Sequence, residues 1–182
     1  MVRFVIPAVA LILVSSVVIA AEVKSGLEVG KTVPAFTVRD VTGPNQGKSL
    51  CYRCAYEDRP VACVFTREIT DEVATLVQRI DAAVGDNASK DMKAFVVLLT
   101  DDADAGAKQL TKLAQTRGIK HVPLTLFDNA SGPRPYRISE DAAVTVLMWN
   151  KARVVVNHAF GTAKLADDQI KTVASDTGKI LK

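Results

Sequence analysis

Two sulfurs stand three residues apart in Cys51-Tyr52-Arg53-Cys54, and that spacing allows chemistry. A disulfide closed over so short a loop can be opened by an incoming thiolate, which forms a mixed disulfide and leaves the other sulfur to complete the exchange. Arg53 lies between the cysteines, with Lys48 and Arg59 close by in sequence, so positive charge is available to favour a thiolate. The same pair also suits a structural bridge that pins a loop onto a sheet. Half of a zinc site is the weakest reading, because His121, His158 or carboxylates would have to supply two more ligands and no second paired spacing exists. Spacing alone leaves redox pair and staple open.

The third cysteine, Cys63, lies among Val61, Ala62, Val64 and Phe65, where it reads as a small apolar core residue. Its functional alternative is a resolving thiol, should the loop carrying the pair fold back over the sheet. His121 and His158 have no Ser or Asp pattern to complete a triad and read as surface or hydrogen-bonded histidines. Met148 and Trp149 default to the core. Asp101, Asp102 and Asp104 precede a helical pattern, as caps and dipole partners do, and no calcium-loop spacing follows. Asn87-Ala88-Ser89 and Asn129-Ala130-Ser131 match the glycosylation pattern, which matters only in a eukaryotic secretory route.

The setting of the pair decides its redox state. Residues Phe4 to Ala21 are apolar apart from Pro7, Ser15 and Ser16, after one positive residue, Arg3. This predicts a secretory signal over residues 1–21, cut after Ala20 or Ala21, with an uncleaved anchor helix as the alternative. Cleavage leaves no stable membrane insertion. It also removes one base and no acid, so the formal charge falls from +3 to +2. The balance is nearly even and forms no basic stripe, which argues against a nucleic-acid partner. Residues 22–182 suit one domain, and outside the cytoplasm a nearby cysteine pair is usually oxidised.

The elements that must position the pair follow from periodicity. The short apolar run Arg59 to Thr66 has no charge inside it and no alternation, the mark of a strand covered on both faces, and Ala94 to Thr100 is a second such run. Ile69, Val73, Leu76, Val77, Ile80 and Val84 keep helical spacing, with Gly85 expected to stop the helix. A weaker amphipathic helix ends near Gly118. Pro34 to Asp40 alternates and is expected as an edge strand. His121 to Asp128 reads as extended and residues 129–135 as a loop. Ala143–Trp149 and Arg153–Phe160 form a hairpin, and a last helix spans about 166–177. Strands alternating with helices, then a hairpin and a helix, predict a layered α/β sandwich whose mixed sheet carries helices on both faces.

That order resembles the thioredoxin-like fold, in the version with an extra N-terminal strand used by the peroxiredoxin (alkyl hydroperoxide reductase and thiol-specific antioxidant) family and its secreted thioredoxin relatives. The resemblance is carried by Val29-Gly30-Lys31-Thr32-Val33-Pro34-Ala35-Phe36-Thr37-Val38-Arg39-Asp40, by Pro60 to Phe65 as first core strand, by Gly118 to Asp128, and by Tyr136-Arg137-Ile138. It implies a three-layer sandwich with a mixed central sheet. The family's attacking cysteine would fall within Thr66-Arg67-Glu68-Ile69-Thr70, and its cis-proline within Asp141-Ala142-Ala143; neither is there. Pro123 belongs to an earlier segment. The family's motif caps a helix, whereas this pair is expected to precede a strand without one.

Two functions follow as expectations. One is an exported thiol–disulfide oxidoreductase using Cys51 and Cys54, with Cys54 or Cys63 resolving, a protein thiol or disulfide as partner and no bound cofactor. The other is a non-catalytic thioredoxin-fold module with Cys51–Cys54 as a structural bridge. Peroxidase chemistry is the poorest fit: Thr66 and Arg67 could bind a peroxide, but no thiol stands beside them.

Overall fold

A computed structural model describes residues 23–182. The expected signal falls on residues outside that range. The chain runs β1 (Val38–Asp40), β2 (Ser49–Leu50), α1 (Tyr52–Tyr56), β3 (Val61–Thr66), α2 (Asp71–Asp86), β4 (Lys93–Leu99), α3 (Ala103–Arg117), β5 (Leu124–Phe127), β6 (Val144–Asn150), β7 (Arg153–Phe160) and α4 (Asp167–Asp176). One seven-stranded sheet has the order β2-β1-β5-β4-β3-β6-β7. Strand β3 pairs in parallel with β4 and antiparallel with β6, so the sheet is mixed as the pattern predicts.

All six residues of β3 are buried because both faces of the sheet are covered. Alternate side chains enter two different layers. Ala62 and Val64 join an aliphatic layer with Val73, Leu76, Val77 and Ile80 of α2, Leu110 and Leu113 of α3, and Ile170 and Val173 of α4. Val61, Cys63 and Phe65 face the other layer, with Tyr52, Phe95, Tyr136, Leu147 and Trp149. Helices do occupy both faces, but unequally. The three long ones share the aliphatic face, and among the described residues only the five-residue α1 lies on the aromatic face, beside the irregular segment through Phe36 and a 3₁₀ turn over Arg134–Tyr136.

Two expected boundaries are corrected. The N-terminal strand is confined to Val38–Asp40 and is internal, between β2 and β5, so the edge on that side of the sheet is Ser49–Leu50. Pro34 offers no N–H for a ladder. Phe36 instead lies across the aromatic face, its ring 4.6 Å from that of Tyr136 and 5.7 Å from that of Phe65. Helix α2 passes through Gly85 and ends at Asn87, whose Nδ2 donates to the Ala83 carbonyl at 2.8 Å. Gly85 serves close approach rather than termination: a Cβ there would sit 3.1 Å from His121 Nε2.

Other elements lie where periodicity puts them. Thr70 accepts from Val73 N–H to start α2, Asp102 accepts from Ala105 N–H to start α3, and Gly118 closes α3 at φ 62°. Asp102 caps α3 and Asp104 lies in its first turn as expected, whereas Asp101 accepts from Ala130 N–H and so holds the loop after β5 instead of the helix. The β6–β7 hairpin turns on Lys151 and Ala152, both at positive φ, and its outer strand is partly covered where Gly30 N–H donates to Val154 O and Val154 N–H to Lys31 O. Met148 and Trp149 are fully buried. His158 bonds Asp176 at 3.0 Å, tying β7 to α4.

Asp81 of α2 anchors the approach to β5. One oxygen, Oδ1, accepts backbone N–H groups from Lys120 at 3.0 Å, His121 at 2.7 Å and Val122 at 3.0 Å. Hydrogen bonds to charged groups contribute about 1.5–3 kcal/mol each, non-additively, and losing the acceptor leaves three donors short. Asp81→Ala should therefore lower unfolding stability by about 3 kcal/mol in urea titration. A loss within error of zero would mean that water replaces the carboxylate.

Candidate functional site

Cys51 and Cys54 form a disulfide, with their Cα atoms 5.2 Å apart. The expectation that the pair lacks a helix is corrected. Cys51 is the N-cap of α1, in extended conformation, and its Sγ accepts the Cys54 N–H at 3.0 Å. A single turn and a half is too short for hydrophobic periodicity to register, which is why pattern reading overlooks it. The available signal was Tyr52 and Tyr56, four apart and so on one helical face.

Packing holds this helix where its length would not. Tyr52 is 2 % exposed, its ring 5.5 Å from that of Phe95 and 5.2 Å from that of Tyr56. Its hydroxyl donates to Asp40 Oδ2 at 2.7 Å. Asp40 also accepts from Gly43 N–H at 2.7 Å and Asn45 N–H at 2.8 Å, so this buried carboxylate is satisfied on both oxygens. Burial, then the bond to Asp40, pushes the Tyr52 hydroxyl well above its ordinary pKa, which keeps it a donor. Arg53 Nε donates to the Val33 carbonyl at 3.1 Å.

The C-terminal end is held as well. Glu57 turns the chain at φ 51°, Arg59 Nη1 donates to the Ala55 carbonyl at 3.2 Å, and Arg59 Nε meets Asp91 Oδ2 at 2.5 Å. The positive charge expected around the pair is thus partly committed: Arg59 is paired with Asp91, while Arg53 has no carboxylate within 4.0 Å among the described residues. Of the two sulfur-bearing residues, Cys51 is half-buried and Cys54 is exposed.

Cys63 stands apart from this arrangement. It is 0 % exposed, within the aromatic layer, and burial raises its thiol well above the ordinary value, so it stays protonated. The corner where the resembled family keeps its attacking cysteine is occupied otherwise. Thr66 Oγ1 donates to the Glu68 carbonyl at 2.7 Å, Arg67 Nη1 donates to the Ala142 carbonyl, and Thr70 caps α2. That corner opens α2 on the aliphatic face, whereas the disulfide belongs to α1 on the aromatic face. Strands β1, β5 and β4 also separate β2, which leads into Cys51, from β3, which leads into the corner. The structure does not bring His121 or His158 into the site: His121 lies against α2 and His158 pairs with Asp176.

Solved structures share this architecture. A protein proposed as the thiol:disulfide interchange protein DsbE of Chlorobium tepidum aligns with a TM-score of 0.66 at 13 % identity, covering 86 % of this chain and 99 % of that one. Peroxidoxin BcpB from Mycobacterium tuberculosis aligns at 0.61 and 15 % identity, covering 86 % and 99 %. The thioredoxin domain of thiol-disulfide oxidoreductase BVU-2223 from Bacteroides vulgatus aligns at 0.57 and 12 % identity, covering 83 % and 99 %. No protein-family model matches the chain, and no curated protein does. At these identities the likeness is one of fold: this is a thioredoxin-like α/β domain, similar in shape to both peroxiredoxin and disulfide-exchange proteins.

The Asp40–Tyr52 contact yields a direct test. Tyr52→Phe keeps the ring and removes one donor from a buried carboxylate, so it should cost about 1–2 kcal/mol and speed amide exchange in residues 51–56. Asp40→Ala, which also strands two loop N–H groups, should cost more. If both variants exchange at the wild-type rate in that segment, the contact does not hold α1.

Proposed function

We propose that this chain is an exported thiol–disulfide oxidoreductase that exchanges electrons with a protein thiol or disulfide through Cys51 and Cys54, without a bound cofactor. The observation that carries the reading is the arrangement of the bond itself: it closes a four-residue loop, one of its sulfurs belongs to an exposed residue, and the other accepts a backbone N–H. A partner thiolate has access to the bond, and the sulfur it releases has a donor in place to stabilise its charge.

A magnitude weighs against the staple as the main role. In the chain-entropy account a cross-link over four residues contributes about 2 kcal/mol, well under half of what one over a hundred residues would. Helix α1 is already held by the Tyr52–Asp40 bond, the Arg53 and Arg59 contacts and the aromatic packing. The structural-bridge reading keeps one observation in its favour, the absence of sulfur from the Thr66–Thr70 corner. Neither resolution nor peroxide chemistry at Cys63 suits a buried, protonated thiol, so the reading uses two sulfurs and not three.

Export belongs to the same proposal. It rests on the apolar run within residues 1–21 and on the chemistry, since an oxidising compartment lets the pair cycle between bonded and reduced forms. No helix among the described residues is long and apolar enough to cross a membrane.

The reduction potential decides between the two readings. Equilibrating the full chain with dithiol buffers and alkylating the free thiols should give a midpoint between about −120 and −270 mV, the span of thioredoxin-type catalysts. A midpoint below about −300 mV would mark a structural bridge and overturn the enzymatic reading.

A further inference from the structure

We propose, resting on the redox reading above, that Cys54 is the sulfur that bonds to the partner and Cys51 the sulfur that is released and later closes the pair. This departs from the sequence-based expectation that Cys54 or Cys63 resolves. Access and charge stabilisation select the same order.

Access comes first. An attacking thiolate approaches along the S–S axis from outside, so it strikes the sulfur that solvent can reach. Cys54 is exposed, next to exposed Ala55, Glu57 and Asp58. Cys51 is half-buried between the end of β2 and Tyr52, which is itself fixed under the sheet by Asp40.

Charge stabilisation comes second. The electron pair of the broken bond must reside on the leaving sulfur. Cys51 Sγ already accepts the Cys54 N–H at 3.0 Å, and that bond strengthens as negative charge builds on the sulfur. As N-cap, Cys51 lies where that donor has no partner within the helix. Cys54, inside the turn, has no hydrogen bond to its sulfur among the described residues.

A partner thiolate attacks Cys54 Sγ; the partner–Cys54 disulfide forms, the Cys51–Cys54 bond breaks, and Cys51 leaves as a thiolate. A second thiolate of the same partner attacks the partner sulfur of the mixed disulfide. The partner is left with a disulfide and Cys54 departs as a thiolate, so two electrons have passed to the chain. In reverse, the Cys54 thiolate opens a partner disulfide, and the Cys51 thiolate then attacks Cys54 Sγ and frees the partner. The partner class is a protein carrying two thiols within reach of one another, or their disulfide.

Glutathione serves as the probe. The oxidised wild-type chain is exposed to limiting reduced glutathione, quenched with acid and alkylated, and the modified peptide is mapped. Glutathione on Cys54 with alkylated Cys51 is expected. Glutathione on Cys51 with alkylated Cys54 would overturn the order while leaving the redox reading intact. A bond untouched by millimolar glutathione would overturn both. Where the adduct is too short-lived to map, the two single-substitution chains, both of which keep the buried Cys63, decide: Cys51→Ser, which keeps Cys54, should exchange with oxidised glutathione at least tenfold faster than Cys54→Ser. Equal or inverted rates overturn the order.

Discussion

A carboxylate that is 1 % exposed needs donors, and Asp40 finds three. Two are backbone N–H groups of the loop that turns from β1 into β2, and the third is the hydroxyl of Tyr52. Because a buried charge is tolerated only when it is fully hydrogen-bonded, the loop, the short strand and the first residue of α1 are held together. Tyr52 points under the sheet, and the disulfide that brackets it is carried to the surface by consequence. The placement of the sulfurs is therefore set by an acid twelve residues upstream rather than by a catalytic helix.

The two faces of the sheet explain why this could happen on one side only. Val73, Leu76, Ile80, Leu110, Leu113 and Val173 project from three amphipathic helices and fill the space over the aliphatic face. Over the other face the volume comes from rings: Phe36, Phe65, Phe95, Tyr136 and Trp149, together with Tyr52 and Tyr56. Large aromatic side chains bury enough area to close that layer from irregular backbone, with no long helix. Tyr136, whose hydroxyl donates to the Pro34 carbonyl at 2.7 Å, binds the N-terminal segment into it. Cys63 belongs to this layer as filling, which is why a reactive role does not fit it.

Much of the architecture was legible from period and punctuation. The runs at Arg59–Thr66 and Ala94–Thr100 could be read as central strands because burial on both faces removes alternation, and the strands observed are Val61–Thr66 and Lys93–Leu99; α3 could be placed between the acids at 101, 102 and 104 and Gly118 through capping. Gly85 misled because a glycine that ends a helix and one that admits a neighbouring ring look alike in sequence, and only the position of His121 separates them. The Pro34–Asp40 stretch misled because a phenylalanine in an alternating run signals burial without saying against what. Helix α1 was hidden for want of length, and the part played by Asp40 was hidden because a contact between residues 40 and 52 leaves no periodic trace.

By itself the sequence determined the class of fold, the presence of a dithiol motif and the absence of sulfur from Thr66–Thr70, since each of these is a matter of residue type, order or short-range spacing. Tertiary structure alone decided that the pair caps a helix, that it lies on the face opposite α2, and that Cys54 is exposed while Cys51 is half-buried. Those facts depend on how β1, the loop after it and the aromatic layer converge around Tyr52. Exposure and hydrogen bonding of a sulfur arise from contacts between segments distant in the chain, and no local pattern encodes them.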